Sequence, residues 1–195
     1  MVVINPRRIA GNWYSGVALD VHTISSTYLG VNEAGHDVFD TKRSEIGELL
    51  YRLKYDGDRS AAEPIIVAAS NFLRPYRAKF DIIVPVPPSA TRVAQPVITL
   101  AIGIGAAIGV PVVQCITTTR AAAPLKRITD PNKRKELLAG LYTVDPSRTV
   151  GKSVLLFDDL FRSGSTMNAV TDILMQQGKA AVVRALTITR TRSNQ

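Results

Sequence analysis

Four short apolar runs, separated by segments of helical pattern, restrict this chain to an α/β fold. The runs are "FDIIVPV" (80–86), "VPVVQCI" (110–116), "SVLLFD" (153–158) and "AVVRALTITR" (181–190). Each run predicts a strand; the first is continuous and bounded by prolines, as expected of a strand covered on both faces, and "SVLLFD" is likewise expected to be buried. Such strands, alternating with helices, predict a parallel sheet joined by right-handed crossovers.

The segments between these runs carry helical signals. "SEIGELLYRLKY" begins with a candidate N-cap, Ser44, and repeats its apolar residues at helical spacing. A second helix is expected to begin near Pro64, since proline suits a first helical position. A helix of small residues is expected after Pro96, and "TMNAVTDILMQQG" predicts another that ends at Gly178.

The N-terminal segment "GVALDVHTISS" has a different pattern. Val17 and Leu19 fall on one face, and Asp20 and His22 on the other, which predicts a half-buried strand. "NEAG" then predicts a turn before "HDVFDTK". His22 and His36 are interpreted as surface or strand residues rather than ligands, because they lie far along the sequence from other candidate site residues.

Size and composition fit one domain, expected over residues 1–195, in which 1–45 add variable N-terminal strands to a core at 46–190. Hydrophobic residues make up 46% and charged residues 21%, as in soluble globular proteins. We find no secretion signal and no apolar run long enough to span a bilayer, so we expect a cytoplasmic protein. Cys115, the single cysteine, excludes an intrachain disulfide and a multi-cysteine zinc site.

The formal net charge of +8 points to anionic partners, either nucleic acid or small phosphorylated molecules. No basic helix is interleaved with aromatic residues, although the charge alone leaves both partners open. Residues 117–135 are basic, contain proline and have no clear period, which predicts an exposed loop.

The stretch "VLLFDDLFRSGST" (154–166) is the strongest candidate for a site. Asp158 and Asp159 follow an apolar strand pattern, and ligands of open α/β sheets bind beyond the carboxyl ends of the strands. Neighbouring strand residues point to opposite faces, so we expect the strand to end at the pair. Gly164 permits a tight turn into a helix whose free N–H groups favour an anion. Carboxylates followed by this cradle indicate a sugar phosphate site.

Two other motifs do not support nucleotide binding. "GKS" (151–153) precedes a strand and has Pro146 where a P-loop needs glycine. "GIGAAIG" (103–109) has the wrong spacing for a dinucleotide fingerprint and predicts close helix packing instead.

The stretch 154–166 resembles the phosphoribosyl diphosphate (PRPP) motif of type I phosphoribosyltransferases. Within that family the chain is most similar to the ComF-like, competence-related branch, through "YRLKYDGDR" (51–59), "IIVPVPPSATR" (82–92) and "RKELLAGLYTV" (134–144). It has no cysteine before Cys115, so it lacks that branch's N-terminal zinc module, and it also lacks the Arg-Gly-Phe-Asn-Gln run. The resemblance implies a parallel sheet flanked by helices, with an N-terminal hood.

The resemblance also implies roles for residues of this sequence. Asp158 and Asp159 would hold the ribose hydroxyls, with Mg²⁺ associated with the bound PRPP, as part of a catalytic group with Lys126. The 5-phosphate would be bound by Arg162, Ser163, Gly164, Ser165 and Thr166. The pyrophosphate loop would contain Pro88, Ser89, Ala90 and Arg92. Residues 117–135 would form a loop that closes over the substrate, where Lys126 and Arg127 neutralise charge.

The function implied is Mg²⁺-dependent phosphoribosyl transfer, a glycosyltransferase reaction of nucleotide metabolism. An unidentified base or amine would displace pyrophosphate from C1 of the ribose of PRPP. Two alternatives stay open: a non-catalytic PRPP- or nucleotide-binding protein, regulatory or linked to DNA uptake, and a basic DNA-associated module. A homodimer is implied by the resemblance to the family alone.

Overall fold

The computed structural model describes residues 2–88, 95–120, 128 and 130–192. Its strands are β1 (Arg7–Arg8), β2 (Ser15–Val21), β3 (Thr23–Val31), β4 (Asp37–Arg43), β5 (Ile82–Pro85), β6 (Ile116–Thr118), β7 (Tyr142–Val144), β8 (Ser153–Phe161) and β9 (Val182–Arg190). Its α-helices are α1 (Glu45–Tyr51), α2 (Ala62–Leu73), α3 (Pro96–Ile108), α4 (Pro131–Leu138) and α5 (Ser165–Gln176).

The main sheet has the strand order β1-β2-β9-β8-β5, with all pairs parallel except β1 with β2. This confirms the predicted α/β architecture. The run 110–116 is the exception among the predicted strands. Val112 makes a single parallel bridge to Ile83, and Ile116 belongs to β6, which pairs with β7 in a separate small sheet.

Both faces of the main sheet are covered, which explains the continuous apolar runs in β5 and β8. On one face, Leu155 and Leu186 pack in a buried cluster with residues of α1, α2 and α3. On the other, Leu156 and Ala185 pack in a second cluster with residues of α5. Burial on both sides therefore fixes the sheet between two helical layers.

The prediction of a half-buried strand at β2 is wrong. Ala18, Leu19 and Asp20 are all buried, because β2 lies inside the main sheet between β1 and β9 and both its faces are covered. Asp20 is tolerated there because its Oδ1 accepts a hydrogen bond from the Val21 N–H at 2.7 Å. The main sheet thus takes two strands, β1 and β2, from residues 1–45, which the sequence assigned to the variable addition.

The antiparallel addition is the hairpin of β3 and β4. The predicted turn between them is confirmed, since Oδ1 of Asn32 accepts hydrogen bonds from the N–H groups of Ala34 and His36. The expected "GIGAAIG" packing is also confirmed: a Cβ on Gly103 would lie 2.3 Å from Ile66 Cδ1 of α2.

The prediction of a loop over residues 117–135 is wrong at both ends. Thr117 lies in β6, and residues from Pro131 onward form α4. The helix begins after Asp130, whose Oδ1 accepts a hydrogen bond from the Asn132 N–H at 2.8 Å. The helix was missed because it is polar and little of it is buried, Leu138 being its buried apolar residue among those described.

The helix predicted near Pro64 begins slightly earlier, at Ala62, and Ser44 caps α1 as predicted, accepting from the Gly47 N–H. Among the residues that the structure describes, no helix is long and apolar enough to cross a membrane.

Candidate functional site

The candidate site lies at the carboxyl ends of the central parallel strands. β8 carries Asp158 and Asp159, β9 carries Thr189, and His22 directly follows β2. Pro88 is exposed just beyond β5, the neighbour of β8. Parallel strands bring these chain segments to one edge of the sheet, where ligands of α/β folds bind.

The expectation that the strand ends at the acid pair is wrong. β8 continues to Phe161, with Leu160 opposite Thr189 and Phe161 opposite Arg190. It continues because β9 is long enough to supply partners, and the Thr191 N–H donates to the Phe161 carbonyl oxygen at 2.9 Å. In a regular strand successive side chains point to opposite faces.

Asp159 forms an ion pair with Lys54. The Lys54 Nζ lies 2.9 Å from the Asp159 Oδ1, and the two side chains are only 16% and 12% exposed. Lys54 lies in a π-helical turn, Arg52–Asp56, that continues α1. Such turns recur at functional sites, and this one places a cation against the acid pair.

Asp158 has different surroundings. Burial, and then the negative charge of Asp159, raise the pKa of Asp158 to about 8. Its Oδ1 accepts a hydrogen bond from the Asp159 N–H at 2.8 Å. Burial and the charge of Asp158 also raise the pKa of Tyr142 to about 12, while a hydrogen bond with Thr166 opposes that rise. Burial and the neighbouring charge of Asp159 therefore both favour the protonated form of Asp158.

Thr187 of β9 is opposite Asp158 in the sheet register. It is fully buried, and its hydroxyl has no hydrogen-bond partner among the residues described. Side chains opposite each other on neighbouring strands share a face, so this hydroxyl lies on the same side of the sheet as Asp158.

His22 lies near the acid pair, although it is far from the pair in sequence. Its interpretation as a surface or strand residue rather than a ligand stays a prediction. Burial lowers its pKa, and the charges of Arg43 and Lys54 lower the pKa further, while Asp159 opposes them. A hydrogen bond of 3.2 Å links its Nδ1 and the Thr189 Oγ1. The imidazole is thus held neutral among cations.

Residues 162–166, here called the anion loop, connect β8 to α5. Gly164 has φ of +74°, the left-handed region that glycine adopts without strain. A Cβ at Gly164 would lie 2.8 Å from the Phe161 ring, so close packing also requires glycine. The hydroxyl oxygens of Ser163 and Ser165 are 3.0 Å apart, at the N-terminus of α5.

The N-terminal segment holds the anion loop in place. The ring of Trp13 packs edge-on against that of Phe161, with centroids 6.1 Å apart. Asn12 donates its backbone N–H to Asn168 Oδ1 at 2.8 Å and its side-chain amide to Asp172 at 2.9 Å. These contacts link the segment to Phe161, which directly precedes the loop, and to Asn168 and Asp172 of the helix that follows it.

The structure brings together part of the predicted site. Asp158, Asp159 and residues 162–166 lie at one sheet edge, with Pro88 beyond the adjacent strand. The other predicted residues fall outside the described part of the chain: Ser89, Ala90, Arg92, Lys126 and Arg127. Within the described part, no group of three or more His, Cys, Asp or Glu residues is placed to hold a metal ion.

Sequence reasoning missed three charged or titratable residues near the site: Lys54, His22 and Arg134. Lys54 and Arg134 both stand in segments quoted for the family resemblance, which was a usable signal. His22 could have been found if β2 had been recognised as an inner parallel strand, because its carboxyl end then joins the same edge.

No family model matches the sequence, and no curated protein matches it. Among solved structures, an adenine phosphoribosyltransferase is similar at a TM-score of 0.51 and 14% identity, over 86% of this chain and 85% of that one. An allosteric regulatory enzyme of purine biosynthesis is similar at a TM-score of 0.50 and 18% identity, over 81% of this chain but 34% of that enzyme. This mostly parallel α/β sheet with flanking helices is the fold of type I phosphoribosyltransferases.

Proposed function

We propose that the protein binds PRPP with Mg²⁺ and transfers its phosphoribosyl group to a base or amine, with release of pyrophosphate. The observation that carries this proposal is the order of groups at one sheet edge in this fold. Two carboxylates on β8 are followed directly by a hydroxyl-rich loop at the N-terminus of α5. The ComF-like branch is proposed on the sequence resemblance alone.

Asp158 and Asp159 are proposed to accept hydrogen bonds from the two ribose hydroxyls. Their opposite orientations place Asp159 on the side of Lys54 and Asp158 on the side of Tyr142. The sugar would therefore sit across the end of β8. Carboxylates in this position also stabilise the positive charge that develops on the ribose as pyrophosphate leaves.

The site residues fit a magnesium ion that arrives with its substrate. Mg²⁺ is commonly held by one or two carboxylates plus substrate phosphates rather than by a complete protein cage. The ion would lie near Asp158 and Asp159 and, when bound together with PRPP, would neutralise charge on the departing pyrophosphate.

The anion loop is proposed to bind the 5-phosphate. Free N–H groups at the start of α5 and the helix dipole both favour an anion there. Ser163, Ser165 and Thr166 add hydroxyl donors. For the pyrophosphate end, Arg92 and Lys126 stay the candidate cations.

A second candidate is PRPP or nucleotide binding without turnover. The Lys54 Nζ contacts Asp159 through Oδ1, which leaves the second carboxylate oxygen able to accept from a ribose hydroxyl. This arrangement suits a sensor as well as an enzyme, so turnover is the property that separates the two.

Calorimetric titration of PRPP with Mg²⁺ tests the proposal. The proteins are wild type, Asp158→Asn, the Asp158→Asn/Asp159→Asn double variant, and Asp40→Asn as a control on an exposed carboxylate of β4. Wild type and Asp40→Asn should bind, and the double variant should lose binding while its circular dichroism shows a folded protein. Asp158→Asn keeps the ion pair of Lys54 with Asp159, so any loss of PRPP binding in this variant reflects the Asp158 side chain alone.

The outcomes separate the candidates. Binding by wild type, followed by pyrophosphate release with some member of an acceptor panel, supports the enzyme. Binding without release from any acceptor supports the sensor. If folded wild type does not bind PRPP, the proposal fails; steeply salt-dependent DNA binding that the double variant retains would then indicate the DNA-associated module.

A further inference from the structure

Arg134 of α4 reaches into the anion loop, although it lies 29 positions away in sequence from its contact there. Its Nη1 donates a hydrogen bond to the Ser163 Oγ at 2.5 Å. Its Nε donates to the carbonyl oxygen of Ile128. Because Arg134 donates to two different partners, the orientation of its guanidinium plane relative to the anion loop is fixed.

The contact makes the Ser163 Oγ an acceptor towards Arg134. The Ser165 Oγ, at the first residue of α5, lies 3.0 Å from the Ser163 Oγ, and either hydroxyl can donate in that contact. Arg134, Ser163 and Ser165 therefore form a hydrogen-bonded chain that ends where the free N–H groups of α5 begin.

Charge gives a second reason for a cation here. A phosphate monoester carries about −1.5 to −2 at pH 7, whereas a helix N-terminus offers only about half a positive charge. Ser163, Gly164 and Ser165 are neutral, so the side chains of the loop itself contribute one positive charge, that of Arg162. Among the described side chains, Arg134 is the cation that donates a hydrogen bond into this loop.

We infer that Arg134 is a direct ligand of the terminal phosphate monoester of the substrate, so that the phosphate site consists of the anion loop and α4 together. The inference rests on the proposed function, since it names a further residue of the same site. Arginine suits this role because its planar fork donates two parallel hydrogen bonds to a phosphate.

The test is calorimetric titration of ribose 5-phosphate, of pyrophosphate with Mg²⁺, and of PRPP with Mg²⁺. The variants are Arg134→Gln, Arg134→Lys and, as a control with the same charge change on the same helix, Lys133→Gln, whose side chain is exposed. Arg134→Gln should weaken ribose 5-phosphate and PRPP binding by about 10- to 100-fold, the worth of one charge-assisted hydrogen bond. The affinity of Arg134→Lys for these two ligands should lie between those of wild type and Arg134→Gln. Pyrophosphate binding should not change in any variant.

Each other outcome is decisive. If wild type binds PRPP and Arg134→Gln binds ribose 5-phosphate within twofold of wild type, the inference is wrong and the proposed function stands. Equal weakening of pyrophosphate would show a general structural effect and also overturn the inference. If wild type binds none of the three ligands, the proposed function falls and this inference with it. Should Arg134→Gln unfold, Arg134→Lys carries the test, because it keeps the charge and loses the fork of donors; ribose 5-phosphate binding by Arg134→Lys within twofold of wild type would then overturn the inference.

Discussion

Replacing Asp159 by asparagine should destabilise the protein, because it leaves the Lys54 ammonium without a carboxylate. The two groups are 2.9 Å apart and mostly buried, at 16% and 12% exposure. Desolvating a charge is expensive, and within a protein only a close opposite charge offsets the expense.

The magnitude follows from this burial. Removing one partner of a buried ion pair costs about 3–5 kcal/mol, and the residual exposure here favours the lower end, about 3 kcal/mol. For a domain of this size each 1 kcal/mol lowers the melting temperature by roughly 2–4 °C. Asp159→Asn should therefore melt roughly 6–12 °C below wild type.

A double-mutant cycle is the decisive assay. Thermal and urea unfolding are measured for Asp159→Asn, Lys54→Met and the double variant, with exposed Asp40→Asn as a control that should change little. Removing both charges is far less harmful than removing one, so the double variant should recover much of the loss. Losses that simply add, or an Asp159→Asn variant as stable as wild type, would refute the account of a buried, coupled pair.

Two further predictions concern the same strand and loop. Asp158, whose pKa rises from 3.8 to about 8, binds its proton more tightly when folded, so folding stability should fall as pH increases from about 4 to about 8. Asp158→Asn should flatten that decline in melting temperature; an unchanged slope would contradict it. Gly164→Ala should lose about 1–2 kcal/mol from its positive φ and more from contact with Phe161. Gly35→Ala, with φ of +77° and open space around it, should show only the first loss in urea unfolding.

The main sheet could be predicted because its strands are buried on both faces, which leaves long apolar runs in the sequence. β2 could not, because Asp20 and Ser15 interrupt its apolar pattern. The structure tolerates Asp20 by satisfying its carboxylate locally, at the Val21 N–H. Apolar periodicity indicates which residues are buried. A buried polar residue whose hydrogen bond is made within its own strand interrupts that periodicity, so the burial cannot be predicted.

Helix α4 shows a second limit of apolar patterns, because it is a helix with few buried residues among those described. Its residues have no apolar period, so pattern analysis predicts a loop. What defines the helix is a local signal at its start, Asp130 followed by Pro131, an N-cap and a first-turn proline. Apolar sequence patterns gave no sign of α4, and so they gave no sign of Arg134, the proposed phosphate ligand that this helix carries.

The local part of the site could likewise be predicted, since the acid pair and the anion loop are contiguous in sequence. Lys54 lies 105 positions from Asp159, and nothing in either segment announces the pairing. Only the packing of the π-helical turn after α1 against the end of β8 brings the charges together. The motif therefore identifies the acid pair and the anion loop, but the cation that balances the charge of Asp159 comes from a distant segment.

The strand geometry explains how two adjacent carboxylates can coexist beside a loop suited to an anion. Because β8 stays regular through the pair, one carboxylate faces Lys54, which neutralises its charge, whereas burial and the charge of Asp159 favour the protonated form of the other. Both effects reduce the net negative charge of the pair below that of two free carboxylates, so the pair repels an anion at the neighbouring loop less than "DD" suggests.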